Sequence, residues 1–172
     1  LLSGAYPMSG DLDPIPIDEP CHYCGGERTF RYENERVRID CEGCDFYTLF
    51  EVPPGVFADY DSGEFLDVAE RYLRQLIAQN RKEFCTYCEG HAPPRVVPAA
   101  ETVDADEQMS DAMEGYVVVR NECRRCGQEM RMDLAAALFT HPAVVSFYHD
   151  HGVDVREASI WEFPAANADH TW

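Results

Sequence analysis

The chain is built around two paired motifs, Cys21-His22-Tyr23-Cys24 and Cys41-Glu42-Gly43-Cys44, and the pair occurs twice. The second copy consists of Cys85-Thr86-Tyr87-Cys88 and Cys123-Arg124-Arg125-Cys126. All eight cysteines of the chain fall in these four Cys-x-x-Cys motifs. Each motif places two thiolates on one side of a tight turn, and two such turns complete the tetrahedral four-sulfur site that Zn²⁺ prefers. The sequence therefore predicts two structural zinc ions per chain, held by Cys21, Cys24, Cys41 and Cys44 and by Cys85, Cys88, Cys123 and Cys126.

The spacing between the motifs supports two ribbon-like hairpins. The first pair is separated by residues 25–40, a length typical of zinc sites of this kind. The second pair is separated by residues 89–122, which is longer. Its excess length is the segment 98–114, which carries six acidic residues and no basic one. We therefore expect an acidic, solvated insertion at the tip of the second hairpin.

Two other uses of the cysteines remain open at this stage, namely four disulfides and an iron–sulfur cluster. The first residues, Leu1–Ala5, lack the basic flank and the long apolar core of a secretory signal. A disulfide framework also does not require cysteines that are all paired as Cys-x-x-Cys. Iron–sulfur clusters use four cysteines as well, but paired turns at opposite ends of a hairpin favour a single ion.

The charge of the chain is strongly acidic. There are 32 acidic residues against 14 basic residues, a formal net charge of −18, and Lys82 is the single lysine. Acid-rich, lysine-poor chains are typical of proteins that work in molar salt, where the short Debye length screens self-repulsion. The alternative is an ordinary acidic protein. The sequence thus favours a halophilic, cytoplasmic protein that binds DNA poorly on its own, because DNA binding relies on basic residues. No apolar run is long enough to span a membrane.

The predicted fold class is α+β, with two tandem ribbon-plus-helix repeats packed as one small unit. We expect a linker or tail over residues 1–20, which follows an upstream helix, and a first ribbon plus helix over 21–84. A second ribbon with helices should cover 85–163 and end in a final strand from Val153 to Phe163, before a loose tail over 164–172. A strand after Cys44, from Phe46 to Val52, is apolar on both faces and is expected to be buried.

Helix signals follow each ribbon. Apolar residues recur at three- and four-residue steps between Gly63 and Lys82, and Asp61 or Ser62 provides an N-cap. This stripe is expected to pack on the ribbon sheets, with a dimer interface as the alternative. A short helix is predicted from Asp133 to Phe139. Another starts at Pro142 and ends before Gly152.

Two further clusters are candidate sites. His141, His149 and His151 are weak candidates for ligand or metal binding, and the competing interpretation is capping of a helix end. Four arginines surround the last motif, namely Arg120, Arg124, Arg125 and Arg131. They either bind an anionic ligand or offset the thiolate charge and pair with Glu122 and Glu129. The second interpretation is favoured.

Three segments together resemble a known family. They are Cys21-x-x-Cys24-Gly25-Gly26, Pro53-Pro54-Gly55 and the block His141-Pro142-Ala143-Val144-Val145-Ser146-Phe147-Tyr148-His149-Asp150-His151-Gly152-Val153-Asp154-Val155. The chain resembles, from about Ala5 to Phe163, the cysteine-rich C-terminal domain of haloarchaeal winged-helix transcriptional regulators of the ArsR-like group. The resemblance implies that a DNA-binding winged helix precedes this region and that Leu1–Tyr6 ends its last helix.

We therefore expect a non-catalytic regulatory domain, with an effector or assembly role, in a transcriptional regulator. No phosphate-binding loop, nucleophile elbow or His-Glu-x-x-His motif is present in the sequence, and four sulfurs leave a metal no open position for substrate. The alternative is a stand-alone zinc-ribbon adaptor that binds another protein. In either case a protein partner or self-association is expected, and DNA is contacted only through the upstream domain.

Overall fold

A computed structural model describes residues 13–21, 24–44, 47–102 and 117–162. These residues form an α+β fold with two small antiparallel sheets and a few helices. The chain divides into two compact units. The first ends at Gln75 and includes the segment that begins at Ser159, and the second runs from Leu76 to Ala158. No helix in these ranges has the length and apolar character needed to cross a bilayer.

The first unit contains a four-stranded sheet in the order β1-β2-β3-β4. Its strands are β1 (Ile15–Ile17), β2 (Arg28–Glu33), β3 (Arg36–Cys41) and β4 (Tyr47–Glu51). Asn34 and Glu35 both have positive φ, 51° and 60°, and form the two-residue turn between β2 and β3. Turns of this kind match the right-handed twist of the strands they join, so the first hairpin closes where the sequence predicts.

Alternating residues of β2 and β3 form the core of the first unit. Phe30 and Val37 are fully buried, and the Tyr32 ring meets the Phe57 ring edge-on at 4.9 Å between centroids. The Tyr32 hydroxyl donates to the carbonyl of Val52 at 2.9 Å, so its one polar atom is satisfied. Burial of each such side chain contributes about 1.5–3 kcal/mol. The sheet is therefore held by a small aromatic core.

Helix α1 (Phe65–Arg81) follows a 3₁₀ turn at Ser62–Glu64. Asp61 occupies the N-cap position, as predicted, and its backbone N–H donates to Glu64 Oε2 at 3.0 Å. The buried apolar positions recur at three- and four-residue steps, and they are Phe65, Val68, Ala69, Leu76 and Ile77. The amphipathic helix is therefore confirmed, and the boundary between the two units falls within it.

The segment from Ser159 onward is bound to the first unit by two charged residues. Glu70 accepts hydrogen bonds from the Ile160 N–H and the Ser159 hydroxyl, both at 2.9 Å. The buried Arg28 guanidinium donates to the carbonyls of Glu19 and Trp161, at 2.9 and 3.1 Å. These bonds fix a distant part of the chain against the first sheet.

The second unit contains a three-stranded antiparallel sheet in the order β5-β6-β7. Its elements are β5 (Pro94–Pro98), β6 (Val117–Glu122), β7 (Glu129–Asp133), α2 (Leu134–Leu138) and α3 (Pro142–Asp150). The Asp133 side chain caps α2 by accepting the Ala135 N–H at 2.6 Å. As in the first unit, a Cys-x-x-Cys motif precedes a hairpin, a second motif follows it, and a third strand comes next. This order of elements fits the predicted tandem arrangement of two ribbons.

Part of the predicted linker forms regular structure. Ile15–Ile17 lies in a segment expected to be a linker, yet it pairs with β2 as an edge strand. The two compact units divide between Gln75 and Leu76, within α1, and the repeat boundary at residues 84 and 85 stays a prediction. Pro16 is tolerated because an edge strand does not need every backbone N–H.

The predicted final strand from Val153 to Phe163 is wrong over the part that the structure describes. Glu157 and Ala158 donate their backbone N–H groups to the Asp154 carbonyl, at 3.0 and 2.9 Å. The Asp154 carboxylate also accepts the Arg156 N–H at 3.0 Å, so a local turn replaces the strand. A 3₁₀ turn, Ile160–Glu162, follows. Trp161 is buried, as expected.

The burial predicted for the third strand of the first ribbon is only partly correct. Phe50 and Val52 are buried, but Leu49 is 48% exposed. Leu49 alternates with Phe50 along β4, so its side chain lies on the opposite, more exposed face of the sheet. The acidic insertion lies largely outside the described residues, which resume at Val117, and the tail 164–172 lies outside them altogether.

Candidate metal centres

The first four cysteines converge in the first unit. Cys21 Sγ lies 3.8 Å from Cys44 Sγ, and Cys24 Sγ lies 3.4 Å from Cys41 Sγ. All four sulfurs lie within 4.8 Å of one another. Each short distance joins one motif to the other, so the two turns face each other at the end of the β2–β3 hairpin. We call this group the first tetrad.

The other four cysteines form an equivalent group in the second unit, the second tetrad. Cys85 Sγ lies 3.7 Å from Cys126 Sγ, and Cys88 Sγ lies 3.5 Å from Cys123 Sγ. Their sulfurs also lie within 4.8 Å of one another. Each tetrad therefore lies within a single compact unit.

The geometry of both tetrads fits one tetrahedral metal ion each. A tetrahedron with metal–sulfur bonds of about 2.3 Å has sulfur–sulfur edges of about 3.8 Å. The sulfur distances across the motifs, 3.4–3.8 Å, are close to this edge. They are far beyond the ~2.05 Å of a disulfide bond, and none of the eight cysteines forms a disulfide. Two groups that could each hold a metal ion are therefore present, and the disulfide alternative does not fit.

Backbone N–H groups orient the sulfurs. Gly26 and Gly43 donate to Cys24 Sγ and Cys41 Sγ, both at 3.3 Å. A Cβ at Gly43 would lie 2.8 Å from Cys24 Sγ, so only glycine allows this close approach. In the second tetrad, Tyr87 donates to Cys85 Sγ at 3.4 Å. Such bonds stabilise thiolates and so favour metal binding.

The thiols of each tetrad differ in acidity. Burial raises the pKa of Cys41, but hydrogen bonds from the Gly43 N–H and from neighbouring thiols outweigh it and lower that pKa to about 7. The backbone bond to the Cys126 N–H is the largest contribution that lowers the pKa of Cys123 to about 6. A hydrogen bond from Gln128 lowers the pKa of Cys126, but the Cys88 thiol and burial outweigh it and raise that pKa to about 12. One thiol in each tetrad is therefore more acidic than an ordinary cysteine, and a bound metal displaces the protons of the other thiols.

The fourth residue after the first cysteine of a motif has a left-handed conformation in each of the three motifs where the structure describes it. Gly25 and Gly127 have φ of 71° and 76°, whereas the equivalent residue of the third motif is Glu89, with φ 58°. Each donates its N–H to the carbonyl of that first cysteine. A left-handed conformation costs an L-residue about 1–2 kcal/mol, while glycine costs about 0.5–1 kcal/mol in backbone entropy.

We therefore expect Glu89→Gly to raise the free energy of unfolding of the second unit by up to about 1 kcal/mol. Denaturant unfolding of the metal-loaded protein measures this change. Gly127→Ala is the matched control and should lower the same free energy, because it places a Cβ in the same conformation. A loss of stability in Glu89→Gly would contradict this explanation.

The three candidate histidines do not converge with other ligands within the described residues. The His141 ring accepts the Ala143 N–H at 3.3 Å and so caps the start of α3. His151 Nδ1 contacts the Phe147 carbonyl at 2.7 Å near the end of that helix. His149 lies 3.7 Å from Asp150. His141 therefore caps the start of α3, and His151 contacts a carbonyl near its end, as a C-terminal cap would.

Two of the four arginines near the last motif pair with glutamates, as expected. Arg120 contacts Glu122 and Glu129, and Arg131 also contacts Glu129. Burial raises the pKa of Glu129, but its bonds to Arg131 and Arg120 outweigh this and lower it. Arg125 instead donates to the Cys88 carbonyl at 3.3 Å, next to the second tetrad.

Comparison with known proteins identifies the family. The family described as a domain of unknown function (DUF7351) matches residues 18–172. The chain belongs to this family. Neither the curated proteins nor the solved structures contain a significant match to the chain. The matched region includes all eight cysteines, so the two tetrads belong to the part of the chain that the family shares.

Proposed function

We propose that both tetrads hold structural Zn²⁺ and that the domain is a non-catalytic regulatory module of a halophilic, archaeal transcriptional regulator. The zinc assignment rests on the chemistry of the ligands. Four thiolates at near-tetrahedral distances suit Zn²⁺ better than Mg²⁺ or Ca²⁺, which prefer oxygen ligands. Four protein ligands also leave no open coordination position for water or substrate. A bound ion would therefore stabilise the fold rather than catalyse a reaction.

The regulatory role rests on the resemblance to winged-helix regulators and on the net charge of the chain. In that arrangement the DNA-binding winged helix lies upstream of this region. The present chain, with a net charge of −18, lacks the positive charge that drives phosphate contact. The domain would instead bias DNA binding in the cytoplasm, by assembly or by binding an effector. Such a bias requires a contact that differs between two states of the regulator.

A stand-alone adaptor that binds another protein is the second candidate. It is favoured by exposed aromatic side chains at the third motif. Tyr87 is 70% exposed, and Phe84 beside it is also exposed. Exposed aromatic residues are enriched at protein interfaces. This candidate predicts a stable partner even when no winged helix precedes the chain.

A DNA-binding comparison tests the proposal. We expect residues 1–172 to show no sequence-specific binding to duplex DNA, and the longer protein that includes the upstream segment to bind it. Band-shift titrations in the same salt measure both. Tight binding by residues 1–172 alone contradicts the division of labour. Equal regulation by a protein that lacks this domain contradicts the regulatory role.

A further inference from the structure

One face of the second sheet carries a groove of about 290 Å³. Its floor is a row of cross-strand partners, Val96 of β5, Val119 of β6 and Met132 of β7. Asn121 lies two residues along β6 on the same face. One wall comes from the end of α1 and the other from α2, and the wall residues are Asn80, Arg81, Leu134, Ala137 and Leu138. All of these residues belong to the second unit.

The groove is closed at its floor and open at its rim. Val119 and Ala137 are buried, whereas Val96 is 63% exposed and Leu138 is 41% exposed. The volume is close to the lower limit of about 300 Å³ that is common for small-molecule sites. With about 30 Å³ for each water-sized group, the groove holds about ten non-hydrogen atoms. Its dimensions and mainly apolar lining suit a small molecule with an aliphatic body.

A buried amide forms part of the floor of this groove. Asn121 is only 2% exposed, and its amide Nδ2 donates to the carbonyls of Ala92 and Asn80, at 2.9 and 3.4 Å. These two bonds fix the orientation of the amide. Its Oδ1 is enclosed by protein atoms. Asn121 therefore contributes to the shape of the groove and offers a ligand no polar contact.

A cation lies at the edge of the same groove. Arg81 is exposed, and no carboxylate of the described residues forms an ion pair with its guanidinium. The chain has more than twice as many acidic as basic residues, and Arg120 and Arg131 are paired with glutamates. A guanidinium beside an apolar surface selects an anionic group, above all a carboxylate.

We propose that this groove binds a small aliphatic carboxylate. The carboxylate pairs with Arg81, and the aliphatic chain covers Val119 and Met132. A medium-chain acid has the required size, since octanoate contains about ten non-hydrogen atoms, the number that the volume allows. The role of this ligand as an effector rests on the proposed function, whereas the binding itself does not.

Calorimetry with four probes of the same chain length tests the proposal on the metal-loaded protein in molar KCl. The probes are 3-hydroxyoctanoate, octanoate, 1-octanol and octylamine. We expect both acids to bind saturably with similar affinity, 1-octanol to bind more weakly, and the octylammonium ion not to bind. Amide and methyl NMR shifts should be confined to the groove. No saturable binding of either acid at millimolar concentration overturns the proposal.

Two substitutions separate the groove from general electrostatics. Arg81→Gln is expected to weaken octanoate binding about tenfold and to leave octanol binding unchanged, since a charge-assisted bond is lost. Arg95→Gln is the matched control, because Arg95 is exposed on β5 and alternates with Val96 on the opposite face. Equal losses in both variants would assign the effect to net charge and overturn the proposal.

A third substitution tests the location. Val96→Trp fills the open end of the groove and is expected to abolish binding of both acids. Leu49→Trp, at an exposed strand position of the first unit, is the control for surface tryptophan. If Val96→Trp instead converts a dimer to a monomer in sedimentation, a second copy occupies the groove and the proposal is wrong.

The same probes separate this proposal from the proposed function. If 3-hydroxyoctanoate binds but does not alter DNA binding by the longer protein, the groove is a binding site but its ligand is not an effector. If no probe binds although the longer protein is a regulator, the groove proposal is wrong and the proposed function is unaffected.

Discussion

Removal of the metal with a strong chelator is expected to unfold both units of the chain. Structural zinc contributes about 10–16 kcal/mol of apparent binding free energy in small zinc domains at neutral pH. The whole folding free energy of a domain is only about 5–15 kcal/mol, so loss of the ion exceeds what the apolar contacts can retain. The second tetrad shows this dependence most clearly, because the buried cluster around it consists of Cys85, Ala92 and Cys123, with Cys88 packed against it. Circular dichroism during chelation, followed by zinc addition, measures the loss and the recovery.

Single-cysteine variants should separate the two sites. Cys21→Ser is expected to remove one ion and to unfold the first unit, and Cys85→Ser should do the same in the second, because each tetrad lies within one unit. Elemental analysis then gives one zinc ion per chain instead of two. Tyr87→Ser is the matched control, since Tyr87 lies inside the same motif, is exposed and is not a ligand. Folded protein that contains no zinc, one zinc ion in the unmodified chain, or iron in its place would contradict the assignment.

The metal centres could be predicted from the sequence because ligand spacing is a local property. Cys21 and Cys24 share one turn, and the hairpin between Cys24 and Cys41 needs only a central turn to bring the second motif back. Asn34 and Glu35 supply that turn through positive φ values. The positions of α1 and α3 were predictable for a similar reason, since Asp61 and Pro142 mark helix starts locally.

Features that the pattern of apolar residues does not determine could not be predicted in this way. The alternation after Val153 resembles that of a strand, but the Asp154 side chain stabilises a local turn that competes with it. Ile15–Ile17 contains a proline and lies in an acidic segment, yet an edge position beside β2 accommodates it. In both cases the decisive interaction lies outside the pattern of apolar residues.

The groove in the second unit has one local signal in the sequence. Asn121 occupies an inward position of β6, where Val117 and Val119 set the alternation. A polar residue at such a position indicates either a satisfied buried amide or a ligand contact. The choice between them requires the hydrogen bonds to Ala92 and Asn80, which only the fold provides. Arg81 gives no signal of its own, because basic residues are common in the last turn of a helix.

A second large effect is expected from salt. Each Zn²⁺ with four thiolates carries −2, so two bound ions bring the formal charge from −18 to about −22. The Debye length falls from about 10 Å at 0.1 M salt to about 3 Å at 1 M, which removes most repulsion between surface carboxylates. We expect the melting temperature of the zinc-loaded protein to rise by about 10–20 °C between these limits. A gain of about 5 kcal/mol would produce such a shift, at about 2–4 °C per kcal/mol for a chain of this size.

Charge variants separate screening from the general effect of salt on apolar burial. Asp18, Glu42 and Asp59 are exposed, and none of them forms an ion pair with the described residues. Their replacement by Gln or Asn removes three negative charges and should raise the melting temperature in dilute buffer while leaving it nearly unchanged in 2 M KCl. Glu70→Gln is the matched control, because Glu70 pairs with Arg74 at 2.8 Å and accepts bonds from Ser159 and Ile160. Its loss should destabilise the first unit at every salt concentration.

Sucrose provides the second control. It is excluded from protein surfaces and strengthens burial, as KCl does at high concentration, but it screens no charge. If repulsion among carboxylates limits stability, molar sucrose should recover only a small part of the stabilisation that molar KCl gives. The triple charge variant should then respond less to KCl than the unmodified chain does, and equally to sucrose. Equal melting temperatures at 0.1 M and 2 M KCl would contradict the halophilic interpretation, since a chain with this charge must then be stable without screening.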